Sequence, residues 1–197
     1  MGKIAGYLME GLIKNQLVKE TDREIYQYGL EKLVGKIISY TALFLLAVIL
    51  RMILPSLFFL GFFFALRGRT GGYHASTETG CLIGTMVIYL AVMELFLPFF
   101  MRHGEAVIAC VAFSVFSVIA FAPVNHPNLG FDREELAQYK KRSRIVLSGE
   151  IAVIGALTFL GVRHEYVISS ILGMSVCAFL ICLAKAVKQE VREIEGQ

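Results

Sequence analysis

The chain has 197 residues, of which 56% are hydrophobic, and a mean hydropathy of +0.66. These values are too high for an ordinary soluble domain and indicate a membrane protein surrounded by a lipid bilayer. The net charge is only +3, and we expect no nucleic-acid partner.

Residues 3–19 have the pattern of an amphipathic helix, because apolar residues recur at helical spacing from Ile4 to Leu12 between flanking lysines. Such a helix can lie on an anionic membrane surface. It can equally pack on the cytoplasmic face of the protein itself, and the pattern leaves both alternatives open. Thr21 and Glu24 then have the spacing of a capping box, which predicts that a second helix starts there.

Six apolar stretches approach the length of roughly 20 residues that a membrane-crossing helix needs. They are residues 33–50, 52–66, 82–100, 106–122, 145–162 and 166–184. The second is short and contains Pro55, so a re-entrant segment is an alternative for it. The sequence therefore predicts an all-α, polytopic membrane protein with a single domain. Its parts are cytoplasmic or interfacial helices over 1–32, a six-helix transmembrane bundle over 33–184 and a cytoplasmic tail over 185–197.

The distribution of positive charge supports six spans. Of the 19 Lys and Arg residues, only Arg51, Arg102 and Arg163 fall in the connections on one side of the membrane. The excess of Lys and Arg marks the cytoplasmic side of a membrane protein. We therefore expect both termini and the connections before the third and fifth spans to be cytoplasmic.

Two carboxylates, Glu94 and Glu150, fall inside predicted spans. Ionisable groups in such positions are costly, face the interior or water, and are candidates for function. A small membrane transporter that uses Glu94 and Glu150 as a proton or substrate path is therefore one hypothesis for this chain.

The connection after the fourth span begins with a cluster of helix-breaking residues at 122–128. Residues 132–144 then have the pattern of a short polar helix that ends in Lys140, Lys141 and Arg142. This basic run is either an anchor on the cytoplasmic side or a binding site for an acidic peptide.

The polar stretch RTGGYHASTETGC, residues 69–81, interrupts the apolar sequence and contains His74 and Cys81. A metal site would need three or four ligands, and only His126 could join these two on the same side, so we expect neither a metal nor another cofactor. A nucleophilic cysteine with a histidine base is a second interpretation. A flexible loop followed by a packed cysteine is a third.

Catalysis by such a pair requires a break in the helix. Residues seven apart in a straight helix lie about 10.5 Å apart along its axis, too far for His74 to hydrogen-bond Cys81. Gly71 and Gly72 permit an unusual backbone, and the hydroxyl residues of 76–79 can cap a new helix. Such a start would place Cys81 in the first turn, where the helix dipole favours the thiolate.

The remaining three cysteines, Cys110, Cys177 and Cys182, lie inside predicted spans, and we expect them to pack as small apolar residues.

Arg67, the triplet Gly72-Tyr73-His74 and Cys81 resemble the core motif of the accessory gene regulator B (AgrB) family. Residues 23–31, the chain length and the predicted spans also resemble that family, so the likeness covers nearly the whole chain. The resemblance implies a multi-pass cysteine endopeptidase in the cell membrane of a Gram-positive bacterium. It further implies a homodimer that processes an AgrD-like propeptide of a quorum-sensing signal.

The resemblance also implies roles for individual residues. Cys81 attacks the peptide bond that ends the signal segment, and His74 deprotonates Cys81 and protonates the leaving amine. A substrate thiol or hydroxyl then closes a thiolactone or lactone. Supporting residues are Arg67, which holds a substrate carboxylate or orients the loop, and Gly71 and Gly72. Candidate substrate-binding residues are Lys140, Lys141, Arg142 and Glu150. Candidates for the group that orients His74 are Glu78, Asn125 and Glu150.

Overall fold

The computed structural model describes residues 2–73, 75, 77–124 and 132–189. These residues form helices and short connections, with no strand among them, so the predicted all-α class is confirmed. The helices are α1 (Gly2–Lys14), α2 (Arg23–Ile49), α3 (Ile53–Thr70), α4 (Glu78–Ala91), α5 (Leu97–Arg102), α6 (Ala106–Phe121), α7 (Arg133–Phe159) and α8 (His164–Ala186).

Four helical segments are long and apolar enough to cross a membrane: Glu20–Ile49, Ile53–Thr70, Thr79–Arg102 and His164–Ala186. Helix α6 is apolar but shorter, and α7 is apolar only in its second half. Large apolar side chains such as Phe44, Val87 and Phe116 are exposed on the outer faces, as expected of a surface that meets lipid. These features fit a multi-pass membrane protein, while the six-span count and the cytoplasmic termini remain predictions.

Helix α8 is the most buried of these four segments, and it packs mainly against α3 and α6. Small residues along α8 allow neighbouring backbones to approach closely. At Gly173, an added Cβ would collide with the backbone carbonyl oxygen of Phe59 in α3. The contact between α3 and α8 therefore depends on the absence of a side chain at this position.

Helix α3 is 18 residues long, or about 27 Å at the usual rise per residue. Pro55 does not interrupt it, because a proline in the first turn replaces an N–H group that has no acceptor within the helix. The helix also continues past the predicted end at residue 66 to Thr70. This length favours a full crossing over the re-entrant alternative.

A π-helical turn, Val92–Phe96, joins α4 to α5, and the N–H of Leu97 donates to the carbonyl of Val92. Pro98 accounts for this widening, because proline has no N–H and its ring clashes with the carbonyl four residues earlier. That carbonyl belongs to Glu94, whose side chain is exposed on the outer face of the turn.

Helix α1 ends at Lys14, short of the predicted end near residue 19. It packs against α2, with Ala5 and Met9 fully buried, while Ile4 and Leu8 stay about half exposed. This arrangement supports packing of α1 on the protein itself and leaves part of its apolar stripe facing outward.

The prediction of a capping box at Thr21 is wrong. Residues Glu20–Asp22 form a 3-10 turn, and α2 begins at Arg23 after Asp22, whose side chain makes no capping hydrogen bond. Because the 3-10 turn shifts the helix start, Thr21 lies inside that turn and cannot act as the cap.

The prediction of a separate short helix over residues 132–144 is also wrong, since this segment is the first half of the 27-residue helix α7. A capping box starts the helix: the N–H of Glu135 donates to Asp132 Oδ1 at 2.8 Å, and the N–H of Asp132 donates to Glu135 Oε2 at 3.3 Å. No proline follows, so the helix continues directly into the apolar half.

Candidate active site

The segment between α3 and α4 lies at one end of the bundle, where the helical conformation is interrupted. Helix α3 ends at Thr70, and Gly71 and Gly72 follow with φ angles of 64° and 127°. Helix α4 starts only at Glu78. The prediction that no continuous helix joins positions 74 and 81 is therefore confirmed, because α4 begins between them.

The two glycines are required by close contacts as well as by their positive φ angles. An added Cβ at Gly71 would lie 2.7 Å from the carbonyl oxygen of Val124, and one at Gly72 would overlap the guanidinium of Arg67. Any other residue at either position would combine backbone strain with a displaced neighbour.

Arg67, in the last turns of α3, holds this segment. Its guanidinium donates to the carbonyl oxygens of Gly71 and Tyr73, the latter at 2.5 Å. Two donors in a planar fork can satisfy two carbonyls at once, which a lysine cannot do in the same geometry.

Two backbone hydrogen bonds attach the segment to its neighbours. The N–H of Tyr73 donates to the carbonyl of Leu180 in α8, and the N–H of Val124 donates to the carbonyl of Thr70, both at 2.9 Å. The Thr70 hydroxyl is fully buried and lies 3.2 Å from the sulfur of Cys177. The sequence does not reveal these contacts with α8, because an almost uniformly apolar helix gives no signal of which residue meets a loop.

Cys81 lies in the first turn of α4. Thr77 is the N-cap residue, with its Oγ1 accepting from the N–H of Gly80 at 3.0 Å, and the N–H of Cys81 donates to the Thr77 carbonyl at 3.0 Å. The helix thus starts where the hydroxyl pattern predicts, and Cys81 lies near the positive end of the helix dipole.

The four cysteines, all of which the structure describes, differ in exposure. Cys81 is exposed, Cys110 and Cys182 are half-buried, and Cys177 is buried. The thiol of Cys182 donates to the Ser117 hydroxyl at 3.4 Å between α8 and α6. Cys81 is therefore the thiol that a substrate or reagent reaches most easily.

Several predicted site residues lie outside the described part of the chain: His74, Asn125, His126 and the side chain of Glu78. The pairing of His74 with Cys81 therefore stays a prediction. Within the ranges that the structure describes, no three His, Cys, Asp or Glu side chains are grouped as a metal site would require.

The residues on either side of position 74 are described, and each has a contact with a neighbouring helix. Tyr73 is bonded to α8, and an added Cβ at Gly80 would lie 3.4 Å from the Cβ of Ala75. The residue after position 74 thus packs near the first turn of α4, the turn that carries Cys81.

Three basic side chains are exposed on the first half of α7: Lys140, Lys141 and Arg142. Arg144 in the same helix donates to the carbonyl of Ile119, near the end of α6, at 3.4 Å. The next residues after α6 reach Val124, which is bonded to Thr70. The basic residues and the polar segment therefore lie at the same end of the bundle.

Glu150, in α7, is only 6% exposed, and neither of its carboxyl oxygens has a hydrogen-bond partner among the described residues. Glu94 is exposed instead. The two carboxylates of the transporter hypothesis thus have different surroundings, one inside the bundle and one on its outer face.

Comparison with known proteins gives the family. A family model described as accessory gene regulator B matches residues 2–183. The chain belongs to the AgrB family. A relative from Clostridium perfringens (strain SM101 / Type A), named "Putative AgrB-like protein", is 26% identical over 145 residues, covering 70% of this chain and 68% of the relative. No solved structure matches significantly.

Membership of the AgrB family confirms the resemblance seen in the motif around Cys81. It supports a part in processing the peptide of the accessory gene regulator system, and it implies an AgrD-like propeptide as the substrate.

Proposed function

We propose that this AgrB family member is a membrane-embedded cysteine endopeptidase that removes the C-terminal part of a quorum-sensing propeptide and cyclises the signal segment. The observation that carries the proposal is the position of Cys81, an exposed thiol in the first turn of a capped helix. The first turn of a helix is a position in which reactive cysteines are found in other enzymes, and the thiolate is the nucleophilic form of cysteine.

In the first step, the Cys81 thiolate attacks the carbonyl carbon of the peptide bond that ends the signal segment. His74 takes up the thiol proton and then delivers it to the leaving amine as the C–N bond breaks. The C-terminal fragment departs, and the signal segment stays bound to Cys81 as a thioester.

In the second step, a thiol of the substrate attacks the thioester carbonyl and the bond to Cys81 breaks. The proton of the attacking thiol passes through His74 to the Cys81 sulfur, so the enzyme returns to its starting form. One thioester replaces another, and the exchange is near energetic balance without ATP. A hydroxyl attacker would give a lactone. Exclusion of water at the membrane edge would protect the intermediate.

Other residues have supporting roles in this proposal. Arg67, Gly71 and Gly72 fix the segment that precedes His74, as their contacts suggest. Lys140, Lys141 and Arg142 lie at the same end of the bundle and would bind acidic residues of the propeptide tail. We place this site at the cytoplasmic face of the cell membrane of a Gram-positive bacterium, in a homodimer.

The test is co-expression with the cognate propeptide, with mass spectrometry of the products. Cys81→Ala should abolish both the truncated and the cyclic peptide. Cys182→Ala is the matched control, because it removes a half-buried thiol from α8, and it should retain processing. Continued truncation by Cys81→Ala would show that Cys81 is not the nucleophile. If the unmodified protein gave only a linear truncated peptide, the cyclisation step would be refuted.

A further inference from the structure

An open groove of about 420 Å³ runs between α3 and α7. Leu57, Gly61 and Ala65 line it from α3, and Gly149 and Glu150 line it from α7. Apart from Glu150, the lining residues are apolar. The groove therefore has a nonpolar surface with one ionisable group.

The groove has room for a second helix to pack against α3 and α7. Added Cβ atoms at Gly61 and Gly149 would meet no atom within 4 Å, so both glycines leave open space. Leu57, Gly61 and Ala65 recur every four residues and form one face of α3, about 12 Å long. Gly61 and Ala65 are small, and small residues four positions apart let a second helix approach closely within a membrane.

Glu150 supplies the specific chemistry of the groove. The residue is 6% exposed, and both carboxyl oxygens lack hydrogen-bond partners among the described residues. A buried carboxyl without a partner is unfavourable in apolar surroundings. A basic side chain that enters through the groove opening would supply both hydrogen-bond donors and the opposite charge.

The groove lies beside the elements that carry the proposed active site. Ala65 is on α3, two residues before Arg67. The same helix ends at Thr70, the residue before Gly71, and the Thr70 hydroxyl contacts the Cys177 sulfur in α8. An occupant of the groove is thus held close to the polar segment that leads to Cys81.

We propose that this groove binds an apolar helical segment of the peptide substrate, whose Lys or Arg side chain pairs with Glu150. The identity of the occupant as the substrate rests on the proposed function. The preference of the groove for an apolar helix with a basic side chain does not. The groove thereby selects substrates by one basic residue on an apolar helix and holds them next to the site of cleavage.

The test is photo-cross-linking of the full chain in phosphatidylcholine nanodiscs. The chain carries Cys81→Ala, so that no cleavage occurs, and p-benzoylphenylalanine in place of Leu57 at the groove rim. The probes are two helical Leu/Ala peptides that differ only in a central Lys or norleucine. We expect at least about three-fold more cross-linking with the Lys peptide, the lower end of what an interhelical polar contact contributes.

Two substitutions, each with a matched control, connect this preference to the groove. Glu150→Gln should reduce cross-linking of the Lys peptide to the norleucine level, whereas Glu94→Gln, at an exposed carboxylate outside the groove, should not. Gly61→Leu fills the groove without a clash and should reduce binding of both peptides. Gly155→Leu, on α7 where an added Cβ also meets open space, should leave binding unchanged.

Equal cross-linking of the two peptides would overturn the proposal, as would a Lys preference that survives Glu150→Gln. Cross-linking to a second copy of the chain, undiminished by peptide, would also overturn it by assigning the groove to a protein interface. The binding assay involves no catalysis. A Lys preference in a protein that cleaves no propeptide would therefore support the groove chemistry while refuting the proposed function.

Discussion

The guanidinium of Arg67 donates a 2.5 Å hydrogen bond to the carbonyl oxygen of Tyr73, and a second bond to Gly71. These bonds join the end of α3 to the segment that leads toward Cys81. Because His74 follows Tyr73 directly, Arg67 acts on the proposed base through the backbone. Arg67 is therefore a positioning residue in the proposed mechanism.

Arg67→Lys should reduce the rate of propeptide cleavage by at least roughly ten-fold, since a lysine cannot replace both hydrogen bonds of the planar fork. The measurement is the initial rate of truncated-peptide formation in proteoliposomes. Arg69→Lys is the control, because Arg69 is exposed in the same turn. A rate for Arg67→Lys equal to that of the control would contradict the positioning role.

Thr77→Ala should slow alkylation of Cys81 by iodoacetamide at neutral pH by a few-fold. The substitution removes the N-cap bond to Gly80, a loss of about 1 kcal/mol for a helix start, and loosens the turn that holds Cys81 near the positive end of the helix dipole. Thr77→Ser should retain the wild-type rate because serine also caps. Thr79→Ala, in the same turn, serves as the control. Equal alkylation rates for Thr77→Ala and Thr77→Ser would show that the cap has no effect on the thiol.

Gly173→Ala should lower the free energy of unfolding by roughly 1–3 kcal/mol, the usual size for overpacking a tight contact. The added methyl would collide with the backbone of Phe59, so α8 and α3 would have to separate. Thermal unfolding in detergent measures the effect. Gly155→Ala adds the same methyl into open space and should leave the melting temperature unchanged or raise it. A Gly173→Ala protein as stable as the wild type would contradict the close packing described at this position.

The sequence predicts the positions of the apolar helices well, because their length and hydropathy are properties of each segment alone. It also predicts the helix start before Cys81, since a hydroxyl cap and a glycine pair act locally. The start of α2 is missed because the 3-10 turn before Arg23 leaves Thr21 without a helix to cap. The continuity of α7 is missed because a change from polar to apolar residues resembles a boundary between two elements.

Contacts between helices are harder to predict than the helices themselves. The bond from Tyr73 to Leu180 and the contact of Thr70 with Cys177 join residues far apart in sequence. A helix such as α8, which is apolar on every side, has no polar face that would identify its neighbours. For the same reason Glu150 is recognisable from sequence as an unusual residue, but the groove that surrounds it is not.

Because α7 is one continuous helix, it fixes the distance between residues in its polar and apolar halves. Lys140 and Glu150 belong to one helix, so they are separated by about 15 Å along its axis, and that separation does not vary as it would across a flexible joint. A single peptide that contacted both would need about five extended residues to cover this distance. The spacing thus indicates how far apart on one peptide the parts bound at Lys140 and at Glu150 would lie.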